Sequence, residues 1–191
     1  MHMSLIEIFV EECSYNDISG MKRCIENGVD INEITLSGSS THWARTPEAL
    51  KVLLEEGAEV NTTDEFGLNS LMSHLKFYER NHAWNDSPNM RLKYLNMLKL
   101  MVETHVNVNH QCNLKQTALM MVPDVEFAEV LLNAGADPRI PDREGNLACN
   151  YHWDKPATLA LLENACLNHL TRCDEFVSDV NISAPVKRSR L

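Results

Sequence analysis

Long apolar runs are missing from this chain of 191 residues: no stretch approaches the roughly 18 residues a membrane-spanning helix needs, so no helical membrane span is expected. Basic charge is also in short supply. The 17 Lys+Arg stand against 27 Asp+Glu, a formal net charge of −10. An acidic surface repels nucleic-acid phosphates, which argues against that class of ligand and favours a neutral or basic protein partner. Aromatic residues make up only 6% of the chain, so each one matters to the reading of core and surface. Tight cysteine pairs are absent too: the six cysteines stand at 13, 24, 112, 149, 166 and 173. With no basic start and apolar core of a secretion signal, this spacing reads as reduced thiols in a cytosolic protein. Met1 and His2 ahead of Met3 have the look of a cloning remnant and take no part in the fold reading.

Catalytic signatures are lacking as well. No glycine-rich phosphate loop and no nucleophile-elbow serine occurs, and nothing orients one of the cysteines toward one of the histidines. Cys149 with His152 and Cys166 with His169, plus Cys173, offer sulfur and nitrogen at spacings that could close a tetrahedron around zinc. Cys149, however, occupies the leucine position of the repeat described next, a buried place where a thiol serves as a small core residue. No enzyme activity, metal or cofactor is expected.

What the chain does have is a repeat. Four segments share one ending: Ile25–Asn32, Leu54–Asn61, Val102–Asn109 and Leu132–Arg139, and Leu162–Ala165 begins a fifth. Gly28 to Gly57 is 29 residues, His105 to Gly135 is 30, and Gly57 to His105 is 48, one period plus an insertion. Eight residues before four of these segments stand Asp17, Thr46, Asp124 and Asp154. Such side chains accept bonds from the free N–H groups at a helix start. A leucine stripe follows, and then glycine supplies the left-handed stop. Each repeat therefore ends in a short capped helix. An earlier helix is expected at Thr41–Ala44, Leu119–Val122 and Cys149–His152, preceded by turn chemistry such as Asp64-Glu65-Phe66-Gly67 and Asp142-Arg143-Glu144-Gly145.

Gly57-Ala58-Glu59-Val60-Asn61 and Gly135-Ala136-Asp137 closely match the second half of the ankyrin repeat, and Gly38 to Ala44, Gly67 to Met72 and Thr117 to Met120 match its first half loosely. The chain resembles the ankyrin-repeat family over residues 4–170. The resemblance implies an all-α solenoid of about five helix-turn-helix repeats joined by short β-turn connections, covering 4–32, 33–61, 62–109, 110–139 and 140–170. The domain would span 3–175, with a flexible polar tail over 176–191. These repeats run about 30 residues instead of the family's 33, His105 takes a glycine position, and the last unit loses its Asp-Val-Asn ending as a terminal cap would.

Residues 77–90 are the insertion, read as a connection within the third repeat that either lengthens a helical pair or adds a binding feature carrying Tyr78 and Trp84. Ser87 and Pro88 should open an extended second helix, Met90 to Glu103. The family resemblance implies a concave groove that binds another protein, with Trp43, Met121 and Tyr151 in one row along its wall. Ser73 and Lys76 join them as candidate contacts, and the tips Glu65, Phe66, Arg143 and Glu144 form a rim. Short, degenerate repeats of this kind look like the docking domains of bacterial effectors that act in a host cytosol, or like immunity proteins that neutralise a basic toxin. The free chain is expected to be a monomer.

Overall fold

The computed structural model describes residues 4–35, 38–82 and 88–167. Helices begin where the sequence supplies acceptors for their first N–H groups. Ser4 and Glu7 form a reciprocal capping box at the start of α1, Leu5–Tyr15. Asp17 caps α2, Ile18–Glu26, by accepting from the Gly20 amide at 3.0 Å. Thr46 caps α4, Pro47–Glu55, whose first-turn proline brings a preset φ and no N–H to satisfy. Asp124 caps α7, Val125–Asn133, accepting from the amides of Glu126 and Phe127 at 3.0 and 3.4 Å. Between them lie α3, Ser40–Trp43, the long pair α5, Ser70–His82, and α6, Pro88–Val102, and two 3₁₀ turns, Ala118–Met121 and Ala148–Tyr151. A last helix, α8, runs over 156–167. It starts two residues after Asp154, so Lys155 and not Asp154 occupies its cap position.

The fold is all-α. Among the described residues there is no strand, only the isolated bridges Thr35–Gly38 and Thr63–Asn69 at turn bases. No helix is long and apolar enough to cross a membrane among the same residues. The elements pack in two ranks. In one, α1 contacts α3, α3 contacts α5, α5 contacts the first 3₁₀ turn, and that turn contacts the second. In the other, α2 contacts α4, α4 contacts α6, and α6 contacts α7. Phe9, Met21, Leu50, Leu53, Met72, Met97, Met101, Phe127 and Leu131 fill the core that these ranks enclose, each fully buried. Truncating one such leucine to alanine removes about 2–5 kcal/mol.

The expected pair of full helices per repeat is corrected in three places. At Ser40–Trp43, Ala118–Met121 and Ala148–Tyr151 the first member is a single turn. Only two residues separate Trp43 from the Thr46 cap, and Pro123 forces Val122 out of the helical region, which its ψ of 137° records. The shortened period is taken out of this element. The third repeat does the opposite. Residues 77–82 of the insertion continue α5, and 88–90 begin α6, so the insertion extends two packed helices. Tyr78 is 1% exposed, with its ring 5.5 Å from that of Tyr94 and 5.6 Å from that of Phe127. It is a core residue, which corrects its assignment as a partner contact. Trp84 lies outside the described residues, as do His169, Cys173 and the 176–191 tail.

The repeats are tied by one recurring side chain. Asn32 donates to the Gly57 carbonyl at 3.2 Å and accepts from the Glu59 amide at 2.8 Å. Asn61 does the same with the His105 carbonyl and the Asn107 amide, at 3.4 and 2.7 Å. Asn109 repeats it with Gly135 and Asp137, at 3.0 and 2.7 Å. Each asparagine thus satisfies a carbonyl at the helix stop of the next repeat and the amide two residues beyond. Gly28, Gly57 and Gly135 adopt φ of 84°, 85° and 89° at that stop, and His105 is held at 61°.

Two stability tests follow from these contacts. Asp124 caps α7 and also accepts from Arg91 Nε on α6 at 2.8 Å, while Arg91 Nη2 meets Glu126 at 2.8 Å. Asp124→Ala should lower unfolding stability by about 1–2 kcal/mol, read as a lower denaturant midpoint at unchanged slope. His105→Gly relieves a left-handed side-chain-bearing residue and should raise stability by about 0.5–1 kcal/mol in the same assay, the gain partly offset by glycine's freedom when unfolded.

Candidate functional site

Two histidines set the register of the first rank. His74 donates from Nε2 to the Thr41 carbonyl at 2.8 Å, and His152 donates from Nε2 to the Leu119 carbonyl at 2.9 Å; both pairs are 33 residues apart. The residue before each histidine, Ser73 and Tyr151, therefore matches the residue two beyond each carbonyl, Trp43 and Met121. By this register Ser73 stands to Trp43 as Tyr151 stands to Met121. Trp43, Ser73, Met121 and Tyr151 are all half-buried, and Trp43, Met121 and Tyr151 pack against the core from its edge.

The rim is built from stacked turns. Asp64 Oδ1 accepts from the amides of Phe66 and Leu68, and Asp142 Oδ1 accepts from those of Glu144 and Asn146. The Asn113 amide donates to the Phe66 carbonyl and the Arg143 amide to the Leu114 carbonyl, both at 3.1 Å, so three tips hang together edge to edge. Glu65, Phe66, Arg143 and Glu144 project from them exposed. Tyr151 is less free than its position suggests. Its hydroxyl donates to Asp142 and accepts from Gln116 at 3.0 Å. That bond from Tyr151, assisted by the backbone amides, holds the Asp142 carboxyl down at about 2.

Four candidate residues converge on one cleft. Trp43, Phe66, Ser73 and Lys76 line a space of about 220 Å³ together with His42, Arg45, Leu68, Phe77 and Arg80. Ser73, Lys76, Phe77 and Arg80 fall on one face of α5 at intervals of three and four residues. Arg45 bends inward from the link between α3 and α4. It donates Nη1 to the His42 carbonyl at 2.7 Å, and its guanidinium lies 3.9 Å from the Phe77 ring centre and 5.7 Å from that of Trp43. Burial lowers its pKa from the ordinary arginine value. No lining residue is acidic, and among the described residues no carboxylate pairs with Arg45, Lys76 or Arg80. Trp43 Nε1 and Ser73 Oγ are buried there without a hydrogen-bond partner. Met121 and Tyr151 do not line this cleft.

No protein-family model matches the sequence, and no curated protein matches it. The site therefore stands on its own geometry.

Phe77 and Arg80 fall inside the 77–90 insertion, read from sequence as a lengthened helical pair or an added binding feature in which only Tyr78 and Trp84 stand out, and Arg45 lies in a link that carries no motif. Carried one turn further, the helical spacing from Ser73 would have placed all three contacts of α5 together. Cys149 is half-buried and not the fully enclosed residue expected. His152, its neighbour in the zinc pattern, spends Nε2 on the Leu119 carbonyl.

His74 also makes the fold sensitive to acid. Burial, with the Arg45 cation adding to it, pushes its pKa from 6.5 down to about 3, and its unpartnered Nδ1 stays unprotonated. The unfolded chain takes up a proton near pH 6.5 and the folded chain does not until about pH 3. Stability from this group is thus complete above 6.5 and declines as pH falls toward 3. The slope is about 1.4 kcal/mol per pH unit. Denaturation midpoints between pH 7.5 and 5 should fall with acid, and His74→Gln should flatten that fall even where it lowers the midpoint at neutral pH.

Proposed function

We propose that this chain is an ankyrin-type solenoid whose function is to bind another protein along the wall marked by Trp43, Ser73, Met121 and Tyr151. The register made by the two histidine-to-carbonyl bonds carries this reading. A row of half-buried Trp, Met and Tyr side chains, one per repeat, supplies the residue types that interface cores favour. Contact between neighbouring elements only, in two ranks, supports the solenoid arrangement. The turn tips at Glu65, Phe66, Arg143 and Glu144 serve as rim.

We read the module as a target-docking domain of the kind bacterial effectors carry, acting in a cytosol without a catalytic step of its own. Its buried groups support that reading: the histidines His42, His74 and His152 are each committed to a backbone carbonyl, which suits a scaffold. A stand-alone inhibitor of a basic toxin remains the second use of the same wall, favoured by the net charge of −10.

The test is capture of partners by the full chain from the source cell and from host lysates, followed by affinity measurement on variants. Trp43→Ala and Met121→Ala should each weaken binding about thirtyfold, as truncated interface anchors do. Glu65→Ala and Arg143→Ala should change it less than about fivefold. Melting temperatures must stay near that of the parent for the comparison to count. Unaltered affinity in both wall variants would move the binding surface off this face.

A further inference from the structure

The cleft beside Trp43 has chemistry opposite to that of the chain as a whole. Net charge is −10, yet the nine lining residues include Arg45, Lys76 and Arg80 and no carboxylate. A cation inside a partly desolvated space favours an anion there far more than the same cation in open water does. Arg45 is held in place by the His42 carbonyl and by the faces of Phe77 and Trp43, so little side-chain freedom is lost when it meets a ligand. Two of the lining residues each carry a polar atom that is closed to solvent and lacks a partner, the Trp43 Nε1–H and the Ser73 hydroxyl. The indole can only donate, and a buried donor without an acceptor is costly. Phe66, 60% exposed at the tip above, and Phe77 add apolar surface on either side.

We infer that this cleft is a recognition pocket for the carboxylate of an acidic peptide segment carrying an apolar residue next to the acid. The carboxylate meets Arg45 as the fixed cation, with Lys76 and Arg80 as exposed cations at the mouth, and the Trp43 Nε1–H and Ser73 Oγ–H, closed to solvent in the free chain, turn to it as donors when it enters. The neighbouring apolar side chain packs on Phe66 and Phe77. The inference rests on the protein-binding reading above and deepens it: the partner presents acid at this end of the wall, whatever the charge of its remaining surface.

The full chain, labelled with nitrogen-15, is titrated with the peptide acetyl-Gly-Leu-Glu-Glu-Leu-Gly-amide, with its Gln-for-Glu counterpart, and with inorganic phosphate. The Trp43 indole signal is assigned by its loss in Trp43→Phe. The glutamate peptide should shift that signal and bind at least tenfold more tightly than the glutamine peptide. The double variant Lys76→Gln with Arg80→Gln, at two exposed positions, should fold normally and weaken the glutamate peptide about fivefold. Ser73→Ala should weaken it further with an unchanged melting temperature. Equal binding of the two peptides, or a shift of the Trp153 indole alone, overturns the inference. A Trp43 shift with phosphate but none with the glutamate peptide overturns it in favour of a phosphoryl ligand. Failure of the peptide arm while Met121→Ala still weakens the captured partner rejects the carboxylate and keeps the wall. Insensitivity of the captured partner to both the wall and the cleft variants rejects the wall itself.

Discussion

Everything in this molecule depends on the paired hydrogen bonds that Asn32, Asn61 and Asn109 make to the next repeat. An asparagine side chain has one acceptor and two donors in a plane, and each of these uses the acceptor for an amide and a donor for a carbonyl two residues away. The carbonyl belongs to a left-handed helix stop, where no helical partner exists. One residue type thus closes one repeat and fixes the offset of the following one. Arg139 takes the corresponding place after Asn109 and donates to both carboxylate oxygens of Asp137 in the same unit.

With the offset fixed, the rest of the site follows from short-range chemistry. Histidines at 74 and 152 can reach the carbonyls of Thr41 and Leu119 because the ranks are already in register. Those bonds give α5 and the second 3₁₀ turn the same offset from the element before each, which pairs Trp43 with Ser73 and Met121 with Tyr151. The cleft appears where the row meets the long helix α5. A single turn at Ser40–Trp43 leaves room that Arg45 only partly fills, and the extra length of α5 brings Phe77 and Arg80 to the opening.

Much of this was legible in the sequence. The caps at Asp17, Thr46 and Asp124 and the left-handed stops at Gly28, Gly57 and Gly135 are local signals, decided within one turn of chain. His105 at φ 61° is the same stop without the residue that marks it, visible only by period. The first-rank elements were harder to read. Whether Leu119 to Val122 makes a helix or one 3₁₀ turn depends on Pro123 and on the length left before Asp124, a competition that a match to a longer repeat conceals. Tyr78 and Arg80 were harder still. Continuation of α5 through 82 is settled by the packing of Phe77 and Tyr78 on Tyr94 of the next helix, a contact with no local signature. The charge of the cleft was hidden for a related reason, since the cations come from two elements and a net charge of −10 averages over both.

The position of the insertion has a further consequence. Gly57 and His105 lie 48 residues apart, yet Asn61 reaches His105 and Asn107 just as Asn32 reaches Gly57 and Glu59 across 25 and 27 residues. Extra length enters between the two helices of a unit and leaves both the helix stops and the turn tips where they were. The scaffold therefore accepts extra length at one place in a unit and keeps its contacts elsewhere. Residues added between α5 and α6 lengthen that pair of helices and leave the stops in register, while a single residue added between a helix stop and its asparagine would shift every unit beyond it.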